Sequence, residues 1–249
     1  MLKKIIVFLS GLFISGLVFA SGSNYPNFSK GQTVSAWASN GVNLREAPNT
    51  TAPIIEKLGL GRAVTVLSEE QIPLGAPFVF HQDSKSETPL TPITFEAAWV
   101  KVRANGHEGY VVNRLLMPNN TPNFQTELPE AFFVKTFAMK LIKKESHQLK
   151  LEETGEKYVR HSRVYDSALA HLEYHRDEVD YGYEEGVLTL KNYDFQQAIV
   201  FVSGLFPIQM APEYVPNQSL SYAYDEVPNN VSIEKKGQNI IVSWQNSPD

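Results

Sequence analysis

Gly41-Val42-Asn43-Leu44-Arg45-Glu46-Ala47-Pro48 is an alternating run closed by a proline, the pattern of a strand entering a turn. Thr33-Val34-Ser35-Ala36-Trp37-Ala38 alternates before it, and Ser39-Asn40-Gly41 supplies the turn between the two. Downstream, Ile54-Ile55-Glu56-Lys57-Leu58 is a short strand ended by Gly59-Leu60-Gly61, and Ala63-Val64-Thr65-Val66-Leu67 is a β-branched run suited to a buried strand. Trp99-Val100-Lys101-Val102-Arg103 alternates, Asn105-Gly106 turns, Gly109-Tyr110-Val111-Val112 returns, and Leu115-Leu116 closes the unit. Short strands at these intervals, parted by Gly and Asn turns, favour a small barrel or sandwich over α/β winding.

Taken in order, Val-Asn-Leu-Arg-x-x-Pro, Ile-x-x-Leu-x-x-Gly, Val-x-Val, Trp-Val-Lys-Val, Gly-Tyr-Val and Leu-Leu resemble the bacterial SH3 domain of exported proteins over residues 33–117. The resemblance implies a small β-barrel that recognises a cell-wall peptide or an envelope protein partner without covalent chemistry. One departure is plain. The family has a short connection between Leu67 and Trp99, whereas this chain carries an insertion, residues 68–96, with Pro73, Pro77, Pro89, Pro92 and an apolar Phe78-Val79-Phe80. A long loop within a compact domain is either functional or a passive surface addition, and the sequence leaves both open. Trp37, Phe78, Phe80 and Tyr110 are the expected ligand contacts, because rigid aromatic area with a polar edge suits a groove for extended peptides. Trp99 is the largest core candidate if its face points inward.

The first twenty residues read as a secretory signal. Lys3 and Lys4 form a positive start, Ile5 to Ala20 is apolar, and Val18-Phe19-Ala20 offers a cleavage site. That run is shorter than the roughly 20 residues a spanning helix needs, so no stable membrane insertion is expected after cleavage. The expected location is periplasmic or secreted. Residues 21–32 read as a polar tether. With 22 basic against 27 acidic residues and a net charge of −5, the chain lacks the basic excess that nucleic acid or anionic lipid requires. Cysteine is absent, which removes thiol catalysis, thiol redox chemistry and a lipid-anchored cysteine from the possible readings. No cofactor is expected.

Pro118-Asn119-Asn120-Thr121-Pro122-Asn123 marks a boundary, with a linker over residues 118–127. Residues 128–249 read as a mainly β second domain, a sandwich or an α+β sheet with one covering helix, of no recognisable family. Phe132 to Ile142 and Ala168 to His175 fit either strand or helix. Gln148 to Arg160 reads as a hairpin turning at Thr154-Gly155. Gly186 to Lys191 and Ala198 to Val202 read as strands, the latter buried, and Val231 to Trp244 reads as a hairpin.

Chemistry is thinly signalled. His171 and His175 share a face on either a helix or a strand, with Glu173 between them, so His171, Glu173 and His175 are the metal candidates, completed by His161 or Asp177. The spacing is not His-Glu-x-x-His. Asp177 to Glu185 is acidic but lacks the spacing of a calcium loop. Ser203-Gly204 is only half of a nucleophile elbow, and its plain reading is a strand-ending turn. The leading expectation is an exported, non-catalytic binding protein. The alternative is a cell-envelope enzyme, targeted by the barrel and active in its second domain.

Overall fold

A computed structural model describes residues 26–81, 91–117, 129–150, 155–179, 182–208, 212–223 and 230–246. The first twenty residues and the linker at 118–127 therefore lie outside the described residues. The protein is mainly β. Among the described residues no helix is long and apolar enough to cross a membrane.

The N-terminal sheet is built from β1 (Thr33–Ala36), β2 (Val42–Arg45), β3 (Ile54–Leu58), β4 (Ala63–Pro73), β7 (Ala98–Ala104), β8 (His107–Val112) and β9 (Leu116–Met117). Its strand order is β3-β2-β8-β7-β4-β1-β9. Alternation places Val42, Leu44, Val64, Val66, Val100, Val102 and Val111 on the inner side, where they form one core. Gly109 lets β8 lie against β2, for a Cβ there would come within 2.6 Å of the Arg45 carbonyl. Phe28 joins this core and the Gly31 N–H donates to the Val66 carbonyl, so the segment read as a tether is docked on the barrel from its later residues onward. Trp99 takes the opposite face from Val100 and Val102. It is buried outside the barrel with Ala97 and Val112, under Leu74 and Phe78.

The insertion is ordered where it is described. β4 runs on to Pro73, and a two-stranded hairpin follows, β5 (Phe78–His81) with β6 (Ile93–Phe95). Ile93 and Phe95 are fully buried, and the Phe80 and Phe95 rings lie 5.1 Å apart.

The second unit is one eight-stranded antiparallel sheet with two short helices, α1 (Pro129–Thr136) and α2 (Phe195–Leu205). Its strands are β10 (Lys140–Lys150), β11 (Lys157–Asp166), β12 (Ala170–Glu178), β13 (Tyr183–Lys191), β14 (Glu213–Val215), β15 (Ser219–Ala223), β16 (Asn230–Lys236) and β17 (Asn239–Asn246). They run in the order β10-β11-β12-β13-β17-β16-β15-β14. Leu172, Tyr174, Leu188, Leu190, Val242, Trp244, Ile233 and Leu220 form the covered face, packed with α1 and α2. Gly186 sits under the Trp244 ring, where any Cβ would come within 2.1 Å of it.

Residues 198–202, expected as a buried strand, lie inside α2, and Ser203-Gly204 continues that helix instead of ending a strand. The run is apolar on all sides because the helix is covered by the sheet on one side and by the barrel on the other. Asp194 caps it, its side chain accepting from the Gln197 N–H. Of the segments left open, Ala170–Glu178 is a strand, whereas Phe132 to Ile142 divides between α1 and the start of β10.

Candidate functional site

The two units share a core. Trp37, at the end of the first barrel strand, stacks on Phe201 of α2 and Phe132 of α1 at 5.7 and 5.9 Å, and its Nε1–H donates to the Phe201 carbonyl at 2.9 Å. Ile93, Phe95 and Met117 belong to the same cluster as the sheet and the helices. A polar clamp lies beside it. The buried Arg114 donates through Nη1 to the Asp194 cap at 2.7 Å and through Nε to the Glu96 carbonyl at 2.9 Å. Burial pushes the Arg114 guanidinium below its usual range, and the Asp194 carboxylate opposes that shift. The insertion, the barrel and α2 are thus pinned at one point.

At Trp37 the packing leaves a cavity of about 220 Å³. Its apolar walls are Trp37, Phe78, Phe80, Leu115, Val200 and Ile208, and the turn Ser39–Asn40–Gly41 makes a polar edge. Gly41 has φ +80°, so the turn rests on a residue free to adopt the left-handed region. Gly204 opens the helix side: a Cβ there would stand 2.2 Å from Trp37 Nε1. Next to it Ser203, only 6% exposed, lines the cavity with an Oγ that has no hydrogen-bond partner among the described residues. A buried hydroxyl left unpaired costs about 1–3 kcal/mol, so a wall that carries one is chemically set for a polar ligand atom. The volume is below the roughly 300–1,000 Å³ of sites that enclose a whole small molecule. It suits one side chain.

Three of the four expected aromatic contacts meet here, in altered roles. Trp37, expected as a ligand contact, is 1% exposed and belongs to the shared core, because its indole packs on the mutually touching rings of Phe132 and Phe201 and its N–H donates to the Phe201 carbonyl. Phe78 and Phe80 are half-buried on the insertion hairpin and line the cavity. Tyr110 lies elsewhere, on the outer side of β8 beside Trp99 and Val112. Ser203 and Gly204 were visible in the sequence as a pair but not as a wall of this site, since that needs α2 to be a helix turned toward the barrel.

The structure corrects the metal reading. His171, Glu173 and His175 lie on one face of β12, so the two histidine backbones are four residues apart along an extended strand, about 13 Å at some 3.3 Å per residue. Each has a separate partner: His171 Nδ1 lies 3.3 Å from Asp166 Oδ1, and His175 Nδ1 lies 2.8 Å from Ser162 Oγ. His161, on the opposite face, pairs with Glu178 at 2.8 Å, and Asp177 is held by Arg160. Among the described residues no group of three potential ligands converges. A wider, open concavity of about 660 Å³ lies on the other face of the sheet, floored by Ser221, Ser232 and Ser243 with Glu185 and Glu213 at its sides.

Residues 40–117 match the family model described as the bacterial SH3 domain, and no family model matches the rest of the chain. No curated protein and no solved structure matches the chain. The matched segment begins after β1, yet β1 pairs with β4 and β9 and closes the same sheet.

Proposed function

With a bacterial SH3 domain, commonly a cell-wall-binding module, as the premise, we propose that this is an exported, non-catalytic binding protein. Its ligand is a short peptide of the cell wall. One small side chain of that peptide fills the cavity walled by Phe78, Phe80, Leu115 and α2. Its backbone lies along Ser39–Asn40–Gly41, and the Ser203 hydroxyl meets a polar atom of the buried group. The observation that carries the reading is the cavity itself, an apolar slot between the barrel, its insertion and α2, whose wall holds a buried hydroxyl with no partner among the described residues. Export rests on the N-terminal signal pattern of the sequence.

Co-sedimentation with purified peptidoglycan tests this. At low salt the protein should travel with the insoluble wall, and Phe78→Ala together with Phe80→Ala should release most of it. Recovery of the unaltered protein wholly in the supernatant removes the proposal.

A further inference from the structure

Of the sheet edges, β10 is the longest. It is eleven residues long, stands at the edge of the eight-stranded sheet, and is exposed along nearly its whole length, with only Glu145 and Leu149 half-buried. One side pairs with β11 from Lys140 to Lys150, with a bulge that leaves Ile142 out of register. Along the other, among the described residues, alternate N–H and C=O groups have no strand to bond.

Charge is segregated here. The strands β10 and β11 carry Lys140, Lys143, Lys144, Lys150, Lys157, Arg160 and Arg163 against Glu145 and Asp166, and the connecting residues add Glu152, Glu153 and Glu156, so the ribbon keeps a basic excess in a chain whose net charge is −5. Arg160 and Arg163 are spoken for by Asp177 and Glu130. Lys140, Lys144, Lys150 and Lys157 have no ion-pair partner among the described residues. Moreover Lys144 stands directly opposite Arg163, and Lys150 opposite Lys157, which is unfavourable in an isolated sheet.

Lysines on an edge discourage indiscriminate pairing, and here they also decide what remains possible. Self-pairing is opposed: an antiparallel copy centred on Glu145 would set Glu145 against itself and Lys140 against Lys150. An anionic strand is favoured, since it would relieve the like-charge pairs while completing the backbone ladder. Exposed Leu141 and Ile142, 50% and 61% accessible, offer apolar contacts to a strand that alternates acidic and aliphatic residues. We propose that β10 is a docking edge for an extended, acidic segment of a partner protein, added as a ninth strand.

The test uses the purified full chain and synthetic peptides as long as β10, followed by fluorescence anisotropy. A Glu-Val alternating peptide should bind at low salt and weaken as salt rises. Its Lys-Val counterpart should bind at least about tenfold more weakly, and Lys143→Glu with Lys144→Glu should reverse that preference. N-methylation of every second residue of the Glu-Val peptide should abolish binding, because the ladder is lost without any change to the protein. Equal binding of the N-methylated peptide, equal binding of polyphosphate, or dimerisation through β10 in place of peptide capture would each overturn the proposal.

Discussion

Gly204 and Ser203 are adjacent in α2 and carry opposite predictions. Gly204→Ala places a methyl 2.2 Å from Trp37 Nε1, whose N–H is bonded to the Phe201 carbonyl and whose ring packs on Phe132 and Phe201. Overpacking of this kind costs about 1–3 kcal/mol, read as a lowered denaturant midpoint at unchanged slope. Ser203→Ala removes a buried hydroxyl that makes no hydrogen bond among the described residues, so stability should hold or rise slightly while wall-peptide affinity falls. Loss of both together would show that Ser203 serves the fold alone. At the clamp, Asp194→Asn keeps a side-chain oxygen to cap α2 but removes the charge facing the buried Arg114, whereas Asp194→Ala removes both. The alanine variant should lie about 1 kcal/mol below the asparagine variant in unfolding free energy, the usual worth of a cap.

The insertion between β4 and β7 behaves as a structural element. Phe95→Ala should cost about 3–5 kcal/mol, the penalty of a core phenylalanine rather than of a loop residue, because Phe95 is 1% exposed in the core both units share. Thermal or denaturant unfolding measures it directly. Proline and aromatic content over 68–96 could not reveal this, since burial of Ile93 and Phe95 depends on a second domain far along the chain. The barrel was legible for the opposite reason: its core comes from short-range alternation, Val42 and Leu44, Val64 and Val66, Val100 and Val102. Trp99 alternates as cleanly, yet period alone does not say which face is inside, and the outer face became a second small core once the insertion covered it. In α2, Ala198-Ile199-Val200-Phe201-Val202 has no polar face to expose a helical period, and β-branched residues favour the strand reading. Asp194 accepting from the Gln197 N–H is the cap that starts the helix.

At the scale of the molecule, two units joined by a continuous aromatic core differ from domains that meet at a wet, modest interface. Trp37 from the barrel, Ile93 and Phe95 from the insertion, and Phe132, Phe201 and Trp244 from the second unit belong to a single cluster. Calorimetry should therefore give one cooperative transition, with the calorimetric and van't Hoff enthalpies in agreement. Two separated transitions would mean the junction adds little stability. Joining the units at this place also completes the site, since α2 brings Val200, Ser203 and Gly204 to a cavity whose remaining walls come from the barrel and its insertion. The most direct measurement of that claim is a residue-resolved NMR titration of the full chain with a soluble cell-wall stem peptide. Shift changes should gather at Ser39, Asn40, Phe78, Phe80 and Ser203. A bound peptide that perturbs other surfaces and leaves these five unmoved would contradict the account.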